Sequence, residues 1–379
     1  MITIIKEAIE KSHKKAISYS TYMDLALYHP VHGYYMKERA KIGRDGDFFT
    51  SSNVSSVYAK QFAQFFIDLV EAKVVPPLVC EIGGGTGRFA RDVLEEWKEH
   101  SPHTFSKLRY YLVETSPFHR AVQKSLLEQF SNVSQCVSIH DIGDSFQGIV
   151  FSNELFDAFP VHVIEKHNEK LYEVYVTFDD QDRLVEALYP LQNEIVTYLH
   201  KHKLQLKEGQ RFEVPLAMNK YMKELCTWLD KGMFITVDYG YTNEEWMREE
   251  HREGSLRGYY AHQLIRNPLQ HPGNMDLTTH IHWDALKMAG EEGKLQTVLQ
   301  TKQRYFLLAS GILERLVDHN DTNPFSEKNK TNRAIRSMIL NGGISDSFDV
   351  LIQQKGLLNF SIENYINLSF LPHNPLSFS

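Results

Sequence analysis

Apolar residues in the first part of the chain recur at helical spacing. Ile2, Ile5 and Ile9 fall on one face of a predicted first helix, and residues 23–27 form a second apolar patch. The stretch 57–70 has the same period and predicts another helix, which the two prolines that follow it bring to an end. The chain is therefore expected to open with a helical segment.

Beyond residue 77 the pattern changes to short apolar runs that alternate with amphipathic stretches. Strands are predicted at 78–82, 110–113, 137–139, 149–151 and 233–237, with helices at 89–97 and 117–130 between them. This alternation predicts a parallel sheet that helices cover on both faces. Residues 163–230 differ, because LYEVYVTF, RLVEALYPL and RFEVP alternate at period two and indicate an antiparallel insertion, followed by a helix at 219–229.

Composition narrows the class of protein. With 379 residues, 42% hydrophobic and 23% charged, the chain can form one large domain or two. Its net charge of −7 argues against non-specific nucleic-acid binding. Three widely spaced cysteines argue against a disulfide framework. The N-terminus has no signal-peptide pattern, and no run reaches the roughly 20 apolar residues of a membrane span. We therefore predict a soluble, cytoplasmic protein.

A glycine-rich turn follows the first strand of the alternating region, in the sequence VCEIGGGTGRFA. A dinucleotide fingerprint, GxGxxG, would need a third glycine where Arg88 stands, and a P-loop would need Gly-Lys-Ser/Thr. Gly83, Gly85 and Gly87 instead satisfy G-x-G-x-G, with Glu81 directly before the turn. This form is the first motif of class I S-adenosylmethionine (SAM) methyltransferases.

The motif and two acidic residues after it could each contact a different part of SAM. Glycines let the backbone pass against the methionine part and the ribose, where a Cβ would collide. Glu81 is a candidate acceptor for the ammonium group of the cofactor. Glu114 ends the second strand and is placed to bind the ribose hydroxyls. Asp141, after the third apolar run, is a candidate for the adenine amino group.

The fourth strand ends in SNELFDAFPVH, and GDFFTSS, VDYGY, RGYYAHQL and DLTTHIHW occur elsewhere in the chain. Together these motifs resemble the MidA family of methyltransferases, from about Tyr22 to about Gly311. The resemblance implies a SAM-dependent enzyme, and the mitochondrial branch of that family assists respiratory complex I assembly and is associated with arginine methylation. It also implies that the loop with Asp47 and Thr50 folds over the cofactor. The chain departs from the family pattern at Ser52 and Asn53, where a proline and an acid are usual.

The predicted fold is α/β, a class I methyltransferase Rossmann-like doubly wound sheet with an N-terminal helical cap and an inserted antiparallel and helical subdomain. Five segments are expected: the cap and cofactor-covering loop (1–75), the first part of the core (76–162), the insertion (163–230), the second part of the core with substrate-side loops (231–313) and a helical tail (314–379). Near the end of the core, strands are predicted at 295–299 and 305–308.

Polar residues at the end of the fourth strand are the candidate catalytic groups. Ligands of open parallel sheets sit beyond the carboxyl ends of the strands, which places Asn153, Glu154 and Asp157 where a substrate should face the methyl group. A carboxylate can bind a guanidinium by paired hydrogen bonds, and Glu154 is the candidate for this clamp, with Asp157 one helical turn away as support. Alternatively, Asn153 and Asp157 cap or brace the next helix.

Further candidates lie on the expected substrate side. Asp238 and Tyr239 end another core strand, and Arg257 and His262 are candidates for binding the substrate or a product carboxylate, with Arg-aromatic packing as the alternative for Arg257. The histidines of THIHW have no third ligand at a suitable spacing, so no metal site is predicted.

The sequence thus predicts a SAM-dependent methyltransferase that acts on a protein side chain, with arginine as the first choice. Two alternatives stay open. A SAM-binding assembly chaperone without transfer activity would need the same cofactor site, and a small-molecule methyltransferase would differ only in its acceptor. A protein substrate is expected as partner, without nucleic acid or membrane, and the sequence does not determine the oligomeric state.

Overall fold

A computed structural model describes residues 1–38, 56–342 and 344–372. Two compact units make up the chain. The first comprises Met1–Phe48, Phe156–Lys223 and Gly240–Ala289, and the second comprises Phe49–Leu155, Glu224–Tyr239 and Gly290–Ser379. Two predicted site residues, Asp47 and Thr50, lie outside the described residues.

The helices are α1 (Ile2–Lys11), α2 (Tyr19–Tyr28), α3 (Ser56–Glu71), α4 (Arg88–His100), α5 (Pro102–Phe105), α6 (Pro117–Leu126), α7 (Asn193–His202), α8 (Leu216–Trp228), α9 (Asn243–Trp246), α10 (Trp283–Glu292), α11 (Gln303–Ala309) and α12 (Glu327–Ile339). The strands are β1 (Ile17–Ser18), β2 (Leu78–Ile82), β3 (Arg109–Val113), β4 (Val133–Cys136), β5 (Phe146–Asn153), β6 (His162–His167), β7 (Lys170–Phe178), β8 (Leu184–Pro190), β9 (Arg211–Val214), β10 (Leu229–Tyr241), β11 (Arg257–Tyr260), β12 (Gln263–Ile265), β13 (Asp276–Thr278), β14 (Ile281–His282), β15 (Gln296–Lys302) and β16 (Phe348–Lys355).

The second unit is built on a mostly parallel sheet with the strand order β15-β16-β10-β5-β2-β3-β4. Parallel pairing joins β10 to β5, β5 to β2, β2 to β3 and β3 to β4, whereas β16 runs antiparallel to both of its neighbours. From β2 the chain proceeds outward through β3 to β4 and then returns to β5 on the other side. A topological switch point therefore lies between β2 and β5, and the predicted α/β architecture is confirmed.

Aromatic side chains dominate the core on one face of this sheet. Phe62 and Phe66 of α3 point toward Phe151 of β5, and Phe89 of α4 stacks on Phe151 with ring centroids 4.5 Å apart. All four side chains are at most 5% exposed. Phe62 and Phe66 are one helical turn apart in α3, so both lie on the face of the helix that packs against Phe151.

The first unit contains the antiparallel insertion that the sequence predicts. The strands β6 and β7 form an antiparallel pair, β9 adds to β6, and β8 and β1 add to β7. A second, smaller sheet has the order β12-β11-β13. Buried side chains of α1, α2, β6, β7 and β13 form the core of this unit, among them Ile5, Tyr22, Val163, Val174 and Leu277.

Three predicted elements are wrong in detail. Residues 305–308, predicted as a strand, belong to helix α11, and the helical prediction for the tail misses strand β16. The run 137–139 lies beyond the strand, which is β4. Short apolar runs fit both a buried strand and a buried helix, so periodicity alone does not separate them. Within the described ranges, no helix is both long enough and apolar enough to cross a membrane.

Candidate active site

The switch point of the parallel sheet brings together the ends of strands that carry the predicted site residues. Ligands of open α/β sheets bind in the crevice outside the carboxyl ends of the strands at such a point. Glu81 lies near the end of β2, Glu114 directly follows β3, Asn153 ends β5 and Glu154 directly follows it. All four belong to the second unit.

The glycine turn after β2 adopts a backbone conformation that excludes most other residues. Gly83, Gly85 and Gly87 have φ angles of +75°, +50° and +80°, in the left-handed region that favours glycine. At Gly84 an added Cβ would lie 2.3 Å from Leu112 Cδ1. The turn therefore packs directly against Leu112 of β3, and there is no space for a side chain at Gly84.

Two side chains hold the centre of this turn. The Gly85 amide donates to Glu114 Oε2 at 2.9 Å, and Gln123 Nε2 donates to the Gly85 carbonyl at 2.7 Å. Glu114 also accepts a hydrogen bond from the Ser116 amide at 2.8 Å. The second-strand acid is thus held by two backbone N–H groups, and His119 Nδ1 lies 3.6 Å from its Oε2 atom.

The Glu81 carboxyl group is 5% exposed and accepts a hydrogen bond from the Tyr110 hydroxyl at 2.6 Å. Burial raises the pKa of Glu81 to about 8, with a further contribution from the Glu114 charge, while the Tyr110 hydrogen bond acts in the opposite direction. In the residues that the structure describes, Glu81 has no ion-pair partner. A buried carboxyl group of this kind favours a cationic ligand.

Asp141 occupies a different kind of position. It is exposed, and its Oδ2 atom accepts hydrogen bonds from the Val137 and Ser138 amides at 2.7 and 2.9 Å. These two bonds lower the pKa of Asp141. The carboxylate therefore caps its own short turn, and its neighbour His140 contacts Glu224 with Nε2 and Oε1 2.6 Å apart.

Glu154 has an uncommon backbone conformation for a residue with a side chain, with φ at +52°. Its amide donates to the Val237 carbonyl at 2.9 Å, and its Oε1 atom accepts from Asn153 Nδ2 at 3.0 Å. Asn153 Oδ1 in turn accepts from the Tyr58 hydroxyl at 2.7 Å. The structure thus brings Asn153 and Glu154 together, and the strained backbone marks a position that the surroundings must hold in place.

Asp157 is in the first unit rather than with Glu154 in the second. It lies in a single 3₁₀ turn, Phe156–Ala158, and is 5% exposed. Its carbonyl accepts a hydrogen bond from the Thr279 amide at 2.9 Å. No continuous helix follows β5, so the spacing of one α-helical turn that the sequence suggested is absent here.

Asp238 and Tyr239 lie near the end of β10, in the second unit. Asp238 is fully buried, and its Oδ1 atom accepts from the Tyr239 amide at 2.9 Å. Asp349 of β16 stands opposite Asp238 in the sheet and is paired with Lys302 at 2.7 Å. The Tyr239 ring packs edge-to-face on Phe348, with centroids 5.4 Å apart. Only the half-buried Tyr239 therefore presents part of its side chain to solvent.

Arg257 and His262 lie on the small sheet of the first unit. Arg257 is half-buried, and its Nη2 atom lies 3.4 Å from the ring nitrogens of His280. The His280 ring stacks on Tyr241 with an interplanar angle of 3°. His262 is exposed in the β11–β12 turn, with φ at +61°. The structure thus holds Arg257 within the fold and leaves His262 at a hairpin tip.

The two histidines of THIHW, His280 and His282, contact other residues of the first unit. His282 Nδ1 contacts the Tyr198 hydroxyl, and its Nε2 atom lies 2.5 Å from Asn243 Oδ1. Burial lowers the pKa of His282 to about 3, so this imidazole is neutral. Both of its ring nitrogens have protein partners, and His280 stacks on Tyr241 as described above.

Sequence reasoning missed Tyr58, Tyr110 and Gln123, which position Asn153, Glu81 and Gly85 respectively. No local motif marks these three residues. Ser116 had a recognisable signal, since its side chain caps α6 directly before Pro117, a common pattern at the start of a helix. The Ser116 amide is one of the two groups that fix Glu114.

These residues fit SAM, on observations within the second unit alone. A buried carboxyl group without a cation faces a turn whose glycines permit close backbone approach, and a fixed acid lies at the end of the next strand. Glu81 would hold the ammonium group and Glu114 the ribose hydroxyls. When bound, SAM supplies an electrophilic methyl group on a positively charged sulfur.

Comparison with known proteins is consistent with this site. The family model described as "Putative S-adenosyl-L-methionine-dependent methyltransferase" matches residues 58–301. The chain belongs to this family. It is a SAM-dependent methyltransferase with SAM as its cofactor, and the predicted membership of the MidA group is confirmed.

Curated relatives of this methyltransferase carry the name protein arginine methyltransferase NDUFAF7, mitochondrial. The human relative is 25% identical over 387 residues, covering 95% of this chain and 81% of its own. The zebrafish (Danio rerio) relative is 28% identical over 338 residues, covering 79% and 74%, and the mouse relative is 25% identical over 328 residues, covering 79% and 72%.

Solved structures confirm the predicted methyltransferase fold. A crystal structure from Burkholderia thailandensis, bound to S-adenosyl-homocysteine, superimposes with a TM-score of 0.83 at 25% identity and covers 96% of this chain and 97% of its own. A native structure from the same organism gives a TM-score of 0.81 at 24% identity, with 96% of each chain covered.

The predicted cytoplasmic location is wrong. The relatives from mouse, zebrafish and human are all named as mitochondrial proteins, and they overturn this expectation.

Proposed function

We propose that this methyltransferase transfers the methyl group of SAM to an arginine side chain of a protein. The names of its relatives, protein arginine methyltransferases at 24–28% identity, support an arginine acceptor. The observation that carries the proposal is the constrained carboxylate of Glu154 at the switch point of the sheet. Glu81, Gly83, Gly85, Gly87, Glu114 and Asp141 are proposed as cofactor-binding residues.

The Glu154 side chain has the chemistry that a guanidinium acceptor requires. A carboxylate binds the planar guanidinium fork through two parallel hydrogen bonds, which orients the third nitrogen. The acceptor nitrogen loses a proton when it gains the methyl group, and a nearby negative charge stabilises the positive charge that stays on the guanidinium. Correct orientation alone lowers the barrier substantially for an in-line displacement. We also keep Asp157 as a proposed catalytic residue. The proposed substrate-binding residues include Asp238, Tyr239 and His262.

Transfer to a protein is tested by labelling. The purified enzyme is incubated with methyl-labelled SAM and a lysate from cells that lack the endogenous copy. Label on a discrete protein band, recovered as methylarginine after hydrolysis, is the expected result. Label in the low-mass fraction would instead indicate a small-molecule acceptor, and SAM binding without any label would indicate a chaperone that does not transfer the group.

Glu154→Gln is expected to lower kcat for the labelled protein by about 20-fold, because the neutral amide loses one charge-assisted hydrogen bond to the guanidinium. The dissociation constant for SAM should stay within about twofold, since cofactor binding is assigned to other residues. Steady-state kinetics and calorimetry measure the two effects. Glu95→Gln, an exposed carboxylate on α4 with a side chain 50% exposed, is the control. A normal kcat for Glu154→Gln would exclude the clamp role.

We also propose that Arg257 binds an acidic group of the protein substrate. Its guanidinium contacts the His280 ring and has no carboxylate within ion-pair distance in the part of the chain that the structure describes. Its Nε atom and the hydroxyl of Thr278, directly across from it on β13, are both buried without a hydrogen-bond partner. A half-buried cation in this state favours an anionic ligand.

Arg257→Gln is accordingly expected to raise KM for the labelled protein about tenfold and to leave kcat nearly unchanged. The lost charge-assisted hydrogen bond would bind the substrate equally well in the ground state and in the transition state. Arg248→Gln serves as the control, since Arg248 is exposed and forms a surface ion pair with Glu244 at 3.4 Å. Equal KM values for Arg257→Gln and the wild-type enzyme would assign this arginine to packing against His280 instead.

A further inference from the structure

Tyr58 of α3 connects the buried core of the second unit to the proposed guanidinium clamp. Its ring is fully buried, and it packs edge-to-face on Phe62 with centroids 5.1 Å apart and also contacts Phe89. The helix and the aromatic core therefore fix the position of the Tyr58 hydroxyl. That hydroxyl donates to Asn153 Oδ1 at 2.7 Å.

The Asn153 side chain has two possible orientations, the Glu154 carboxylate selects one of them, and the Tyr58 hydroxyl holds the amide in it. An amide offers an acceptor oxygen on one side and a donor NH₂ on the other. With Oδ1 turned to Tyr58, Nδ2 faces Glu154 and donates to Oε1 at 3.0 Å. The opposite orientation would point the amide oxygen at a carboxylate, which is electrostatically unfavourable. The Tyr58 bond therefore stabilises the orientation in which Asn153 supports Glu154.

Glu154 needs such support because its own backbone does not favour its position. Its φ of +52° lies in the left-handed region, which is unfavourable for a residue with a Cβ. The groups that hold it include the Val237 carbonyl, which accepts from its amide at 2.9 Å, and the Asn153 side chain. Asn153 binds one carboxylate oxygen and thereby limits the rotation of the side chain.

We propose that Tyr58 is a positioning residue, which orients the Glu154 carboxylate through the Asn153 amide. This inference rests on the proposed role of Glu154 as the guanidinium clamp. Tyr58 itself contacts neither substrate nor cofactor in this account. Its contribution is to fix the direction of the clamp before the acceptor binds, so that less ordering is required during the reaction.

The test is a double-mutant cycle. Tyr58→Phe keeps the ring and removes one hydrogen bond, so kcat for the labelled protein is expected to fall about fivefold, with KM for SAM unchanged and the melting temperature within about 2 °C. In the Glu154→Gln background the same change should have less than about a twofold effect, because its target is already absent. Tyr365→Phe, which removes the hydroxyl of a ring stacked on Phe360, is the control.

A second measurement does not depend on turnover. In the enzyme labelled with ¹⁵N-asparagine, the Asn153 side-chain amide protons should exchange with solvent faster in Tyr58→Phe than in the wild type, because the orienting bond is lost. Unchanged exchange, or a fivefold loss of kcat that persists in the Glu154→Gln background, would overturn the inference. If Glu154→Gln is impaired but Tyr58→Phe is fully active, the clamp stands and only the role of Tyr58 fails. A fully active Glu154→Gln would exclude both.

Discussion

Gly85→Val is expected to weaken binding of S-adenosyl-homocysteine at least about 100-fold, equivalent to about 2.7 kcal/mol. Two effects combine. Gly85 has φ at +50°, where a β-branched residue is strained, so the new side chain shifts the turn. The Gly85 amide and carbonyl also hold Glu114 and Gln123, so a shifted turn misplaces the acid proposed for the ribose. Isothermal titration calorimetry measures the affinity.

Gly342→Val provides a matched control for backbone strain. Gly342 has φ at +75°, and an added Cβ there would have no atom within 4 Å. This variant should lose about as much stability as Gly85→Val does, and it should still bind S-adenosyl-homocysteine normally. If both variants lose affinity equally, the effect of Gly85→Val comes from general destabilisation rather than from the turn.

Glu81→Gln is expected to remove a pH dependence of both stability and cofactor binding. The folded protein holds a proton on Glu81 up to a pKa of about 8, far above the ordinary value of 4.5. Between these values the folded state binds more protons than the unfolded state, so the free energy of unfolding falls as pH rises from about 5 to 8. Glu81→Gln should abolish this decline, about 2–4 kcal/mol, in urea unfolding of the cofactor-free protein.

In this account Glu81 loses its proton when the cofactor binds, because the ammonium group of the cofactor pairs with the ionised carboxylate. At pH 6.5 the wild type should therefore release about one proton on binding S-adenosyl-homocysteine, measured by calorimetry in buffers of different ionisation enthalpy. Glu81→Gln should release none and bind about 30-fold more weakly at pH 8, since a charge-assisted hydrogen bond is lost.

Glu213→Gln is the control for a buried carboxyl group elsewhere. Glu213, in the first unit, is 3% exposed and accepts hydrogen bonds from the Ser255 and Leu256 amides, and burial raises its pKa. This variant should change the pH dependence of stability and leave proton release on binding intact. Loss of proton release in Glu213→Gln would contradict the assignment to Glu81.

The part of the site that the sequence predicts is local in sequence. The strand at 78–82 has the predicted bounds, Glu81 lies near its end, and the glycines and Glu114 follow their strands at the expected places. Such short-range patterns encode a strand, a turn and the residue at a strand end. They do not encode which distant side chain holds a given group, and Tyr58 lies 95 residues from the asparagine that it contacts.

The last strand, β16, shows why other elements escape detection. Besides Asp349 it carries two buried polar residues, Gln353 and Gln354, which are 0% and 8% exposed. Their side-chain amides donate hydrogen bonds to Thr297 and Gln296 of the neighbouring strand β15, which allows these polar residues to be buried. A search for continuous apolar runs misses a buried strand that contains such residues. Residues 305–308 lie in the helix Gln303–Ala309, but their apolar run is too short to show a helical period, so the pattern predicts a strand there.

The position of β16 also has a consequence for biosynthesis. Residues 348–355 pair along their full length with β10 and for most of it with β15, so they join two strands made earlier. During translation, β10 and β15 leave the ribosome while this partner is still being synthesised, and their facing edges cannot yet hydrogen-bond to it. The sheet of the second unit therefore closes only after residues 348–355 have been made, and until then those edges are open to chaperones or to aggregation.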